Sequence, residues 1–201
     1  MQQHRIDRRR ALAGLLSGLI AATAWPAGAQ SAFTLEQLMQ LLAQVKTGDA
    51  TFVEKRYVSM LERTLESSGK LSFEAPDTFV RETLKPTRDR MAVVGNMVTM
   101  SMGSRSRTVP LDSVPEAAVI FEAIRGTLTG NRAALERHFT PNVTGAPAQW
   151  TLELVPLMPR LRELVTSVRV SGKQALVREV VVAMADGDRS VMTIDPVTST
   201  P

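Results

Sequence analysis

His138 is the only histidine outside the N-terminal segment that holds His4, and cysteine is absent. Acid–base chemistry at neutral pH therefore rests on one imidazole, and thiol chemistry has no residue to use. His138 stands beside Phe139 at the end of an expected helix, where the dipole favours a cation, so its position needs no catalytic explanation. One histidine cannot assemble a zinc centre, and the chain has neither a G-x-S-x-G elbow nor a phosphate-binding glycine loop. Asp186-Gly187-Asp188 offers two carboxylates, but a calcium loop needs further ligands and Asp-Gly is a hairpin turn. Glu54, Glu74, Glu82, Glu153 and Glu179 fall on expected strands. A facing pair of them could serve a hydrolase, but glutamates on an antiparallel sheet ordinarily line its solvated face. No enzyme, cofactor or metal is expected.

The remaining chemistry is apolar. Among the 10 methionines, Met91, Met100, Met102, Met184 and Met192 lie on expected strands of a chain with only 4% aromatic residues. Thioether side chains are flexible and polarisable, which suits a cavity that accepts chains of variable shape, although core filling explains any single one of them.

The elements that would position these residues start from one stretch, Glu66 to Pro86. Leu71 and Phe73 alternate with Ser72 and Glu74 in a half-buried strand after a Ser67-Ser68-Gly69 turn, and a second strand runs from Pro76 to Pro86. Before them, Thr34 and Gln37 form a capping box with Phe33 and Leu38 as its staple. Leu35, Leu38, Leu42 and Val45 line one helical face, which Gly48 ends. A strand is expected over Ala50 to Leu61. After Pro86, Met91 to Val94 and Val98 to Met102 flank a Gly95-Asn96 hairpin turn, and a short strand spans Arg107 to Leu111. Ser113 and Glu116 read as a second capping box around Pro115, opening a helix with Ile120, Phe121, Ile124 and Leu128 on its apolar face and its end at Gly130. Asn131 caps a shorter helix that Pro141 ends. Trp150, Leu152 and Leu154 alternate in a strand. A brief helix at Leu161 to Leu164, a strand through Val168 and Val170, and the hairpin of Leu176 to Met184 and Val191 to Ile194 around Asp186-Gly187 complete the order. The fold class is α+β, with one large antiparallel sheet that must curl and with helices filling its concave side.

Residues 1–29 have the zones of a secretory signal: Arg5, Arg8, Arg9 and Arg10, an apolar run from Ala11 to Trp25, and Ala27-Gly28-Ala29 as a small-x-small cleavage site. General secretion is expected over the twin-arginine route. The run is too short and too diluted by glycine, serine and threonine to span a bilayer. Removing the four arginines and Asp7 from 24 basic and 20 acidic residues leaves the rest near +1, so the net charge of +4 does not argue for nucleic acid. No basic stripe is present either. Residues 30–201 are the size of one domain. The absence of cysteine after the signal excludes a lipid-anchored mature protein, and the mature chain is expected free in the periplasm.

Ser68-Gly69-Lys70-Leu71-Ser72-Phe73, the Pro76 to Pro86 strand, Gly95-Asn96-Met97-Val98, Gly145 through Trp150-Thr151-Leu152, and Asp186-Gly187-Asp188-Arg189-Ser190 together resemble the LolA family of periplasmic lipoprotein carriers. The likeness covers about Phe33 to Ile194. It implies an incomplete β-barrel closed by a helical lid over an apolar cavity. It also implies a monomer that shelters the acyl chains of a lipoprotein or lipid on the way from an inner-membrane exporter to an outer-membrane acceptor, a chaperone of outer-membrane biogenesis. Cavity residues expected from this reading are Leu71, Phe73, Met91, Val98, Met100, Met102, Ile120, Phe121, Ile124, Trp150, Leu152, Met184 and Met192. Carriers of this type place an arginine immediately before the proline after the first of these strands; this chain has Ala75. In that respect it is closer to LolA-like proteins that accompany lipid or polyene biosynthesis, so a docking or accessory protein of such a system is the alternative. At ~0.8 kcal/mol per methylene, a fully buried sixteen-carbon chain would gain on the order of 13 kcal/mol, and release requires that the helices refill the space it leaves.

Overall fold

A computed structural model describes residues 33–61 and 63–197. The expected signal and the extreme C-terminus lie outside the described residues.

Strong local signals and weak ones divide along the chain. Thr34 opens α1 (Leu35–Leu42): its side chain accepts from the Gln37 backbone N–H at 3.2 Å and the Gln37 side-chain Oε1 accepts from the Thr34 N–H at 2.9 Å, the expected reciprocal box. The helix ends at Leu42, not at Gly48, which lies inside the first strand. The strands that follow are β1 (Thr47–Tyr57), β2 (Leu65–Glu74), β3 (Thr78–Lys85), β4 (Asp89–Val94), β5 (Met97–Met102) and β6 (Arg105–Pro110). β1 stops four residues before the expected Leu61.

A 3-10 turn at Leu111–Ser113 leads into α2 (Pro115–Leu128) and then α3 (Arg132–His138). The expected box at Ser113 is not formed. Its hydroxyl donates to the Pro110 carbonyl at 2.6 Å and Val114 takes the cap position with no side-chain bond. Asn131 does cap α3, accepting from the Ala134 N–H at 3.0 Å. The chain closes with β7 (Phe139–Ala146), β8 (Gln149–Pro156), the one-turn α4 (Pro159–Arg162), β9 (Val165–Lys173), β10 (Leu176–Met184) and β11 (Arg189–Pro196).

Among the described residues eleven strands form one antiparallel sheet in the order β6-β5-β4-β3-β2-β1-β11-β10-β9-β8-β7. Its edges are β6 and β7, so it does not close into a barrel. β7 is a strand where the sequence suggested only the end of a helix, and Pro141 sits in it at the sheet edge, where its missing N–H costs no ladder bond.

Ser67-Ser68-Gly69 forms strand, not turn. Gly69 lies at a register irregularity between β2 and β3, and a Cβ there would fall 1.9 Å from the Glu82 carbonyl oxygen and 2.9 Å from the Phe52 ring. The glycine serves close approach. The real turn, at Asp186-Gly187, has Gly187 at φ 92°.

One face of the sheet holds the main core. Leu38, Met39 and Leu42 of α1, Leu135 of α3, and Trp150, Leu152, Leu154, Val168 and Val170 pack together beneath the helices. Each fully buried aliphatic side chain of this kind contributes about 1.5–3 kcal/mol relative to exposure. Trp150 also donates from Nε1 to the Gln174 carbonyl at 2.8 Å, so its polar atom is satisfied. A second, smaller cluster of Val93, Val98, Leu111 and Phe121 ties α2 to the β4–β5 hairpin, with Phe121 and Phe79 rings 6.5 Å apart. Among the described residues no helix is long and apolar enough to cross a membrane.

Candidate functional site

Between the two clusters the concave face is not filled. A cavity of about 450 Å³ lies there, within the ~300–1,000 Å³ range of small-ligand sites. Met91 of β4 and Val170 of β9 both line it. Those strands are six spacings apart in the sheet, roughly 29 Å if flat, so the sheet must curl to bring both to one cavity.

Strand register explains the wall. Ala50, Leu71, Arg81 and Met91 lie directly opposite one another across β1 to β4 and therefore share the concave face. Phe73 and Phe79 form the next such pair, and Met192 stands opposite Val180. Helix α2 supplies the cover. Ile120, Ile124 and Leu128 recur four apart and line the cavity, whereas Val119 and Ala123 turn into the main core and Phe121 into the smaller cluster.

One end of this apolar chamber is polar. Glu54 points inward from β1, and Arg81 reaches it from β3, Nη2 to Oε2 2.5 Å, with its guanidinium carbon 4.8 Å from the centre of the Phe52 ring. The Ser67 hydroxyl donates to Glu54 Oε2 at 3.3 Å and the Ser190 hydroxyl to Oε1. Arg56 and Asp188 complete this end, whereas Arg189 stands opposite Tyr57 in the β1–β11 register and lays its guanidinium over that ring on the other face of the sheet. The Ser59 backbone N–H donates to Asp188 at 2.9 Å and, with smaller help from the Ser59 hydroxyl and Arg56, holds that carboxyl below the usual range against the opposing effect of burial.

Of the expected cavity residues, the structure brings Leu71, Phe73, Met91, Ile120, Ile124, Met184 and Met192 to the wall. It places the other six elsewhere. Trp150 and Leu152 are on the correct face of the sheet, but α1 and α3 seal them into the core at 1% and 0% exposure. Val98 and Phe121 are consumed by the smaller cluster. Met100 and Met102 follow Val98 on its side of β5 but lie towards the edge strand, beyond the cavity, and are exposed. Alternation fixes a face of a sheet; it does not say which part of that face the helices cover.

Sequence reasoning missed Arg81 and placed Glu54 on the outer face. The usable signal was the alternation of Ala50, Phe52, Glu54 and Arg56: a buried phenylalanine two positions away puts Glu54 inward. His138 ends α3 outside the cavity, and among the described residues no three histidines or carboxylates gather as a metal site.

A family profile described as outer membrane lipoprotein carrier protein LolA-like matches residues 27–194. The chain belongs to the LolA-like outer membrane lipoprotein carrier family. The proteins of this family are carriers and not enzymes. An outer-membrane lipoprotein carrier protein of Ralstonia nicotianae is 30% identical over 118 residues, 53% of this chain and 54% of that protein, so the chain spans about half the length of that relative. A LolA superfamily protein of Nitrosomonas europaea superposes with a TM-score of 0.47 at 11% identity, over 85% of this chain and 96% of its own. The MucA/MucB complex of Pseudomonas aeruginosa gives 0.46 at 12% identity, over 83% of this chain and 58% of that one. Against the expectation for the LolA-like family of an arginine before the proline, Ala75 here bonds through its N–H to the Lys46 carbonyl, and the guanidinium inside the cavity comes from Arg81 of β3.

Proposed function

We propose that this protein is a periplasmic carrier that shields the acyl chain of a lipoprotein or another lipid in transit from an inner-membrane exporter to an outer-membrane acceptor. Residues 1–29 serve as its export signal and residues 30–201 as one carrier domain, working as a monomer. The single observation that carries this reading is the cavity between α2 and the concave sheet face, walled by Leu71, Phe73, Met91, Ile124 and Met192. Membership of a carrier family supports the same conclusion.

The cavity has the economy of a carrier. Much of its wall is partly exposed, so an acyl chain gains burial there without first unpacking the core. Because the sheet is open at β6 and β7, the cover rests on helices, whose displacement breaks no sheet ladder.

Titration with a fluorescent acyl probe tests the proposal. Saturable binding of one probe per chain, lost in Ile124→Asp while the far-ultraviolet circular dichroism is unchanged, is the expected result. Probe binding that is unaltered by that substitution would remove the cavity from the function.

A further inference from the structure

The shape of the cavity sets a condition on the passenger, provided that the carrier reading above holds. Its volume of about 450 Å³ is drawn out into a gutter. Along β1 the lining residues run from Gly48 to Arg56, eight spacings of extended strand and so roughly 27 Å. β11 follows the same path from Ser190, opposite Arg56, to Pro196, opposite Ala50. Spread over that length, the volume leaves a mean cross-section of about 17 Å².

A methylene group takes up about as much space as a water molecule in the liquid, ~30 Å³, and bonds of ~1.5 Å at near-tetrahedral angles advance a zigzag chain by roughly 1.25 Å per carbon. One extended chain therefore needs about 24 Å², and two side by side about twice that. The cavity volume corresponds to about 15 methylene groups in all. In single file these are about 19 Å long, which the gutter accommodates; side by side they do not fit. The flanks of the gutter are already packed. Leu42, Trp150 and Leu152 of the main core lie to one side, and Val93, Val98, Leu111 and Phe121 to the other. Phe79 lines the cavity and packs against Phe121, ring centres 6.5 Å apart. A second chain would have to unpack one of these clusters, whereas the first enters space that is already there.

We propose that the cavity holds one hydrocarbon chain of about 14–16 carbons, laid along β1, so that the passenger is a single-chain amphiphile and not a lipid with two or three acyl chains. Further chains on the same headgroup would stay in water, and the carrier would not shield them. Gly48 marks one end of the path. It stands opposite Phe73 on the concave face, and a Cβ there would meet nothing within 4 Å. A larger side chain at that position therefore has room to enter the gutter and shorten it.

The test measures displacement of the fluorescent acyl probe from the full mature protein by lysophosphatidylcholines with one decanoyl, dodecanoyl, tetradecanoyl, hexadecanoyl or octadecanoyl chain, and by didecanoyl phosphatidylcholine, each below its micellar concentration. The shared headgroup keeps the head out of the comparison. Expected is a rise in affinity of about three- to fourfold per added carbon that levels off between the tetradecanoyl and hexadecanoyl chains. The didecanoyl lipid should bind within about tenfold of its one-chain counterpart, where full burial of its second chain would give a factor above about a thousand. In Gly48→Leu, whose side chain brings four carbons into the end of the gutter, the rise should stop about four carbons sooner. A rise unbroken to the octadecanoyl chain, or a didecanoyl lipid bound more than that tenfold tighter, overturns the single-file limit and leaves the carrier standing. A plateau unmoved in Gly48→Leu overturns the placement along β1. Failure of every chain to bind overturns both readings.

Discussion

Arg81 and Glu54 meet inside the cavity at 2.5 Å, their side chains 23% and 20% exposed, with the arginine guanidinium over the Phe52 ring. A charge pair in a mostly apolar chamber is costly to create and costlier to break, because removing one member strands the other away from water. Either single variant, Arg81→Met or Glu54→Gln, should therefore destabilise the fold by about 1–3 kcal/mol, and the double variant by less than the two losses added together. Urea unfolding of the three proteins measures the difference. Strict additivity would mean that the pair is not energetically coupled.

Substitutions on the concave face should act differently at different depths. Leu152 is completely buried, and Leu152→Ala should cost about 2–5 kcal/mol whether or not a ligand is present. Met100, on the same face but exposed, should accept Met100→Lys with less than about 0.5 kcal/mol of change and unaltered acyl-probe binding. Thermal unfolding together with probe titration checks both, and loss of binding in Met100→Lys would extend the site beyond the cavity.

Much of the fold is legible in the residues themselves. The box at Thr34 and Gln37, the Asn131 cap and the Asp186-Gly187 hairpin are local chemistry, and each forms as the spacing dictates. The failures share a different cause. Gly69 and Gly48 look like punctuation, but the sheet decides them: Gly48 pairs opposite Phe73, and Gly69 is pressed against the Phe52 ring and the Glu82 carbonyl. Pro141 looks like a stop, and only the position of β7 at the edge of the sheet makes it a strand residue. The site was half legible for the same reason. Periodicity names the inward residues Leu71, Met91, Trp150 and Leu152 alike, but whether such a residue meets a helix or a void depends on where α1, α2 and α3 settle. Arg81 was invisible because its role depends on Glu54, 27 residues earlier, across two strand pairings.

Gly69→Ala should be strongly destabilising, by more than about 2 kcal/mol, since the new methyl group meets backbone that cannot yield cheaply. Chemical denaturation measures it. A near-neutral result would show that the β2–β3 irregularity shifts freely.

Acid should weaken the polar end in a defined window. The Asp188 carboxyl is held low in the folded state, so its contribution is complete above the ordinary carboxylate pKa of about 3.9 and disappears as pH falls through its lower folded value. Asp188→Asn should therefore be less stable than wild type at pH 7, and the gap should close only below about pH 4. Urea midpoints across that range decide it. A gap that closes between pH 7 and pH 5 would assign the effect to another group.

The cavity's purpose is tested most directly by native mass spectrometry of the protein isolated from its own cells, followed by organic extraction of whatever it holds. The account predicts one lipid or lipidated molecule per chain, bearing an apolar chain and lost in Ile124→Asp. A protein that arrives empty and also refuses an acyl probe would contradict it.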